Sequence, residues 1–249
     1  MRIRYSLGRD PKGSSVGLRA WPPELCETAA VHAADELPPP VRPRLRGVLH
    51  LVGFVVACVV GAVFVALVDG RRLVGATAFA ASAAAMLGAS AVYHRVTWTP
   101  RTRMWMRRVD HAGIYLLIAG TYTPVGLLSL HGALQRAVLA VVWCGAGAAI
   151  VTKLFWVRSP KWLSAVFGIS LGWVGIVAMP QLAHTAGAAA VALLGAGGVA
   201  YTMGAVVYAR RRPDPVPGVF GYHELFHALT LVGLTLQYVA IAFFIVRAA

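Results

Sequence analysis

The chain has 249 residues, 58% of them hydrophobic and only 13% charged, about half the charged share of a soluble domain. The apolar residues come in nearly charge-free blocks of bilayer-spanning length, about 20 or more, and not in narrow helical stripes. That excludes an ordinary soluble enzyme. The formal net charge of +14 does not argue for nucleic acid, because no basic face alternates with stacking aromatics.

Residues 1–41 read as a basic, Pro-rich cytosolic tail outside the membrane domain. It carries Arg2, Arg4, Arg9, Lys12 and Arg19 and ends on Pro38, Pro39 and Pro40. No signal-peptide core follows its first basic residues. Residues 42–249 are predicted to form an all-α membrane domain of seven spans. The spans fall at about 47–69, 73–95, 107–130, 134–157, 161–183, 187–209 and 223–247. With the N-terminus in the cytosol, 19 Lys and Arg residues face inward against 4 outward, which sets the C-terminus outside. The chain is therefore expected in the cell membrane as a multi-pass protein, its loop cations meeting anionic lipid heads. Cys26, Cys58 and Cys144 are odd in number, and two lie in apolar blocks, so no disulfide framework is implied.

The ionisable residues gather at one depth. His94 ends the second span, Asp110 opens the third, and His223 and His227 lie in the first turns of the seventh. Ser90 sits one turn from His94 on the same face. At 1.5 Å per residue these groups share a cytosolic slab about 6 Å thick. Three imidazoles match a catalytic zinc site, which keeps its fourth position open. "HELFH", residues 223–227, has the i, i+4 histidine spacing that suits one metal ion. Asp110 is then the candidate partner of a catalytic water, with a salt bridge to Arg107 or Arg108 as the alternative. Ser90 is a candidate to hold a substrate oxygen or a small packing residue. Glu224 points about 100° from His223 and is expected to face the cytosolic loop. His111, equally displaced from Asp110, is expected to face another helix or the interface. His50 opens the first span on the same side as a further polar contact. Deeper, Thr121 in "AGTYTP" (119–124) and Gln237 return to the faces of Asp110 and His223. They would line a substrate cavity for an acyl lipid, or else bond between helices; Pro124 can kink its helix.

Three stretches carry a resemblance: "SAVYHRVTW" at 90–98, "DHAGIYLLIAGTYTP" at 110–124 and "GYHELFHAL" at 221–229. They resemble the signature stretches of the hemolysin III family, which groups with the progestin and adipoQ receptors and, more remotely, the alkaline ceramidases. The resemblance covers roughly 42–247. It implies a seven-helix bundle with a cytosolic N-terminus and zinc near the cytosolic face. The implied ligands are His94, His223 and His227, with Asp110 and Ser90 near the water. Many members have a glutamate and an asparagine shortly before the first-span histidine. Here "RPRLRGVLH" offers only arginines, so that acidic role has no counterpart. Three functions compete: a zinc-dependent hydrolase of a lipid amide or ester, a pore-forming cytolysin, and a receptor or regulator of membrane lipid composition with structural zinc.

Overall fold

The structure is a computed structural model and describes residues 43–156 and 159–249. The basic tail at 1–41 lies outside the described residues. The described chain is helical: α1 Val48–Ala66, α2 Gly70–Arg95, α3 Pro100–Ser129, α4 Gly132–Phe155, α5 Lys161–Gly172, α6 Met179–Arg210 and α7 Tyr222–Ala240. A 3₁₀ stretch, Trp173–Ala178, joins α5 to α6, and α7 runs through a π segment, Ile241–Ile245, into a last turn at Val246–Ala248.

Six helical runs among the described residues are long and apolar enough to cross a membrane. The fifth, Lys161–Arg210, is 50 residues long. Drawn straight it would reach about 75 Å, more than twice a hydrocarbon core. It is not straight. Gly187 leaves the helix at φ 86°, ψ 164°, a conformation open chiefly to glycine. Across that break the Trp173 indole N–H donates to Thr202 Oγ1 at 3.0 Å, pairing positions 29 residues apart.

α3 starts seven residues before the expected boundary of 107. The Thr99 side chain caps it by accepting from Thr102 N at 3.3 Å, and Pro100 takes a first-turn position, where its missing N–H costs nothing. Of its most apolar 18-residue window, 61% is buried, against 17% for α1. α3 is thus the central helix and α1 presents most of its surface outward. α2 packs closely on α3 and α6 on α7, and α1 touches α7. Gly120 permits the α2–α3 approach: a Cβ there would lie 1.9 Å from Ser82 Oγ. Phe79, Met86 and Leu87 of α2 share one apolar core with Leu234, Ile241 and Ile245.

Backbone groups freed at the 3₁₀ junction find a side-chain partner. Tyr122 OH accepts from Gly175 N at 2.7 Å and donates to Gly172 O at 2.6 Å, so α3 ties down the 3₁₀ junction. Before Pro124, Thr121 and Thr123 donate back to Leu117 O and Ala119 O, both at 2.8 Å; the carbonyl that Pro124 leaves without its helical donor is that of Gly120. Lys161 donates to Tyr222 OH at 2.9 Å and lies over the Tyr208 ring, which joins the start of α5 to the end of α6 and the start of α7. Cys58 and Cys144 are free thiols.

Candidate metal centre

α7 opens with an aid to its own start. Glu224, at the third helical position, accepts from Gly221 N at 3.0 Å, half of a capping box. Asp214 Oδ1 accepts from Tyr222 N at 2.6 Å. These contacts fix the first turns, which carry His223 and His227 on one face. Glu224 does not face the cytosolic loop. It is 1% exposed, and its Oε1 lies 2.6 Å from Arg46 Nε. The N–H does not align with the oxygen, so the contact is an ion pair and not a directed hydrogen bond. The arginine-rich approach to α1 thus serves a purpose that sequence reasoning missed: its third arginine neutralises a buried carboxylate beside the histidines.

α2 delivers His94 from the other side. Its Nε2 is 3.1 Å from His223 Nε2, and the rings of His223 and His227 are 4.5 Å apart. His94, His223 and His227 each offer a nitrogen, and the three atoms lie within 4.8 Å of one another. Two imidazole nitrogens nose to nose need either one shared proton or a common cation. Zn–N bonds of 2.0–2.1 Å in a tetrahedron separate nitrogens by about 3.3 Å, so the 3.1 Å pair already has that spacing and the third nitrogen needs to close by at most about 1.5 Å. His227 is 2% exposed and its Nδ1 has no hydrogen-bond partner. The donor set therefore fits a zinc ion.

The neighbours complete the site. Asp110 Oδ2 stands 3.9 Å from His94 Nε2, and among the described residues no Arg makes an ion pair with Asp110; the alternative pairing with Arg107 or Arg108 is absent. Ser90 is buried and faces the Asp110 carboxylate. His50 stacks on His227, with centroids 3.7 Å apart and planes 11° from parallel. Both His50 nitrogens are buried without a partner. Gly47, just before α1, has φ 76°, and a Cβ there would come within 2.6 Å of His94 Cβ. A glycine is needed for both reasons.

The histidines open onto a cavity of about 150 Å³ lined by His50, Ser90, Asp110, His223 and His227. It extends along α3 and α7 to Thr121 and Gln237, where a second space of about 60 Å³ shares both residues. The expected cavity residues thus line one lane. Thr121 donates to Leu117 O within its own helix and not to a neighbouring one, so the expected alternative of a bond between helices is not seen for it. His111 departs from expectation: it lines the same cavity, with Nδ1 buried and unpartnered. Lys153 and Ser164 line it too. Lys153 reads in the sequence as a loop charge at the end of a span, and nothing in its neighbourhood marks it otherwise.

A family model described as "Haemolysin-III related" matches residues 40–238. A hemolysin-3 homolog of Bacillus subtilis (strain 168) is 31% identical over 175 residues, covering 70% of this chain and 79% of the relative. Hemolysin-3 of Bacillus cereus is 34% identical over 150 residues, 60% of this chain and 66% of the relative. The heptahelical transmembrane protein ADIPOR2 of Oryza sativa subsp. japonica is 33% identical over 150 residues, 54% of this chain and 65% of that protein. With its long apolar helices, the chain is a multi-pass membrane protein, and it belongs to the haemolysin-III-related family.

Proposed function

We propose that the chain is a zinc-dependent intramembrane hydrolase of a lipid amide or ester, with its centre near the cytosolic face. One observation carries this reading: three imidazoles converge within 4.8 Å, beside a carboxylate, at the wall of a long and mainly apolar cavity. His94, His223 and His227 would hold the metal. Zinc, when bound there, supplies a Lewis acid. Asp110 takes the proton of the attacking water at a carboxylate oxygen, as a general base. The Ser90 hydroxyl donates to the oxygen on which negative charge develops. His50 braces the His227 ring by stacking and limits its rotation. The lane past Thr121 to Gln237 takes the acyl chain and keeps water away from it.

The topology of this reading is seven crossings, N-terminus in the cytosol and C-terminus outside. The fold-back at Gly187, with Trp173 bonded to Thr202, supports dividing the 50-residue run in two. The excess of inward Lys and Arg supports the orientation.

Acyl-lipid cleavage tests the reading. Purified protein is incubated with a panel of amide- and ester-linked lipids, and released fatty acid is measured by mass spectrometry. Cleavage by wild type, lost in Asp110→Asn with zinc retained, is the expected result. A second reading, structural zinc in a receptor or lipid regulator, draws on the same carboxylate, since Asp110 stands near enough to serve as a fourth donor. Full zinc content with no turnover on the panel would favour it.

A further inference from the structure

Lys153 is 3% exposed, yet it lies on the last turn of the membrane helix α4. Its Nζ donates to Ser159 Oγ at 2.5 Å and to Ser164 Oγ. Two of its three N–H donors are thereby used. Among the described residues no carboxylate lies within ion-pair distance of it; Asp110 and Glu224 face His94 and Arg46. Burying a charge without a counter-ion is costly. The helix C-terminus offsets part of that cost, and the two hydroxyls offset more, but neither carries a full negative charge. A serine that accepts from an ammonium still has its own O–H to give. Ser164 and Lys153 both line the large cavity, and so does His111 with its unpartnered ring nitrogen. Asp110, next to His111 in sequence, lines the same cavity with its carboxylate toward His94. Lys153, Ser164 and His111 thus offer an ammonium, a hydroxyl and an imidazole. Charge-assisted bonds from such groups suit anionic oxygens. The rest of the cavity is mainly apolar and continues into the second space beyond Thr121 and Gln237.

We propose that Lys153, Ser164 and His111 form an anion-binding subsite that takes the phosphate of an anionic lipid headgroup, with the acyl part of that lipid in the adjoining apolar lane. This extends the hydrolase reading by giving its substrate a charge, and it rests on that reading for any turnover. Binding is measured without turnover, so each can fail alone. The cytosolic leaflet supplies such lipids at the level where basic residues cluster.

The test is equilibrium binding of radiolabelled phosphatidylglycerol and of diacylglycerol, which has the same acyl chains and no phosphate, to the full chain in neutral detergent. Wild type should bind phosphatidylglycerol at least about tenfold more tightly. Lys153→Met should remove that preference while diacylglycerol binding and zinc content stay unchanged. Because it deletes a buried charge, Lys153→Met should also raise the melting temperature of lipid-free protein. Lys153→Arg should retain the preference in part, and Ser164→Ala, a small change that leaves the ammonium in place, should weaken it about twofold to fivefold. Millimolar inorganic phosphate should leave the lipid bound. Equal affinities for the two lipids, a preference that survives Lys153→Met, or full displacement by inorganic phosphate would overturn the proposal.

Discussion

Two polar clusters share one cavity, and they solve the problem of buried polarity in opposite ways. On the α2–α7 side, three histidines meet beside Asp110, and the nearby Glu224 is matched by Arg46. The imidazoles there are neutral when deprotonated, and each acid has a close basic neighbour. On the α4–α5 side, Lys153 is held only by serine hydroxyls and has no acid among the described residues. The first cluster is arranged for a cation and the second for an anion. A lipid with a cleavable linkage and a charged head would need both.

The comparison breaks first at the histidines. Replacing His94 or His227 by Ala removes one of the three proposed ligands and should lower zinc affinity by more than about 100-fold, beyond the range for outer partners; metal analysis after dialysis reads this. Asp110→Asn should keep zinc within about tenfold while cutting lipid cleavage about 100-fold or more, the scale of a lost general base. A parallel loss of metal and turnover in that variant would instead make Asp110 a ligand.

Smaller effects sharpen the picture around the clusters. Arg46→Met leaves the Glu224 carboxylate buried and unpaired. Thermal unfolding should show a loss of about 1–3 kcal/mol, less than for a fully buried pair because Arg46 is 25% exposed. Adding Glu224→Gln to that variant should recover part of the loss, since the orphaned charge is then gone. Gly47→Ala places a side chain at φ 76° against His94. A strain of about 1–2 kcal/mol and a few-fold weaker zinc affinity are expected. His50→Phe, which keeps a stacking ring against His227, should change zinc affinity less than His50→Ala.

Much of this was legible in the sequence, for reasons that differ between residues. Membrane length places most helix ends within a turn or so, and the ends of three spans then bring His94, Asp110 and His223 to a common depth. The i, i+4 spacing of His223 and His227 puts both on one face. The long start of α3 was missed because a capped, amphipathic first turn looks like a loop when only apolar length is read. Glu224 was misplaced because its angle on the helix was known but the element facing it was not. That element is the segment before α1, far away in sequence, and its arginine is the partner. Lys153 was hidden by the opposite habit: a cation at a span's end reads as interfacial, and only tertiary packing shows it turned inward. His111 follows the same logic, since an offset of one position around α3 still faces a cavity that wide.

Zinc-edge X-ray absorption on the purified chain tests the central claim most directly. About one zinc per chain, surrounded by three imidazole nitrogens at about 2.0–2.1 Å with oxygen completing the shell, is the predicted result, with that signal lost in a His94→Ala, His223→Ala double variant. A spectrum unchanged in the double variant, or a first shell without imidazole, would contradict the assignment of His94, His223 and His227 as the metal centre.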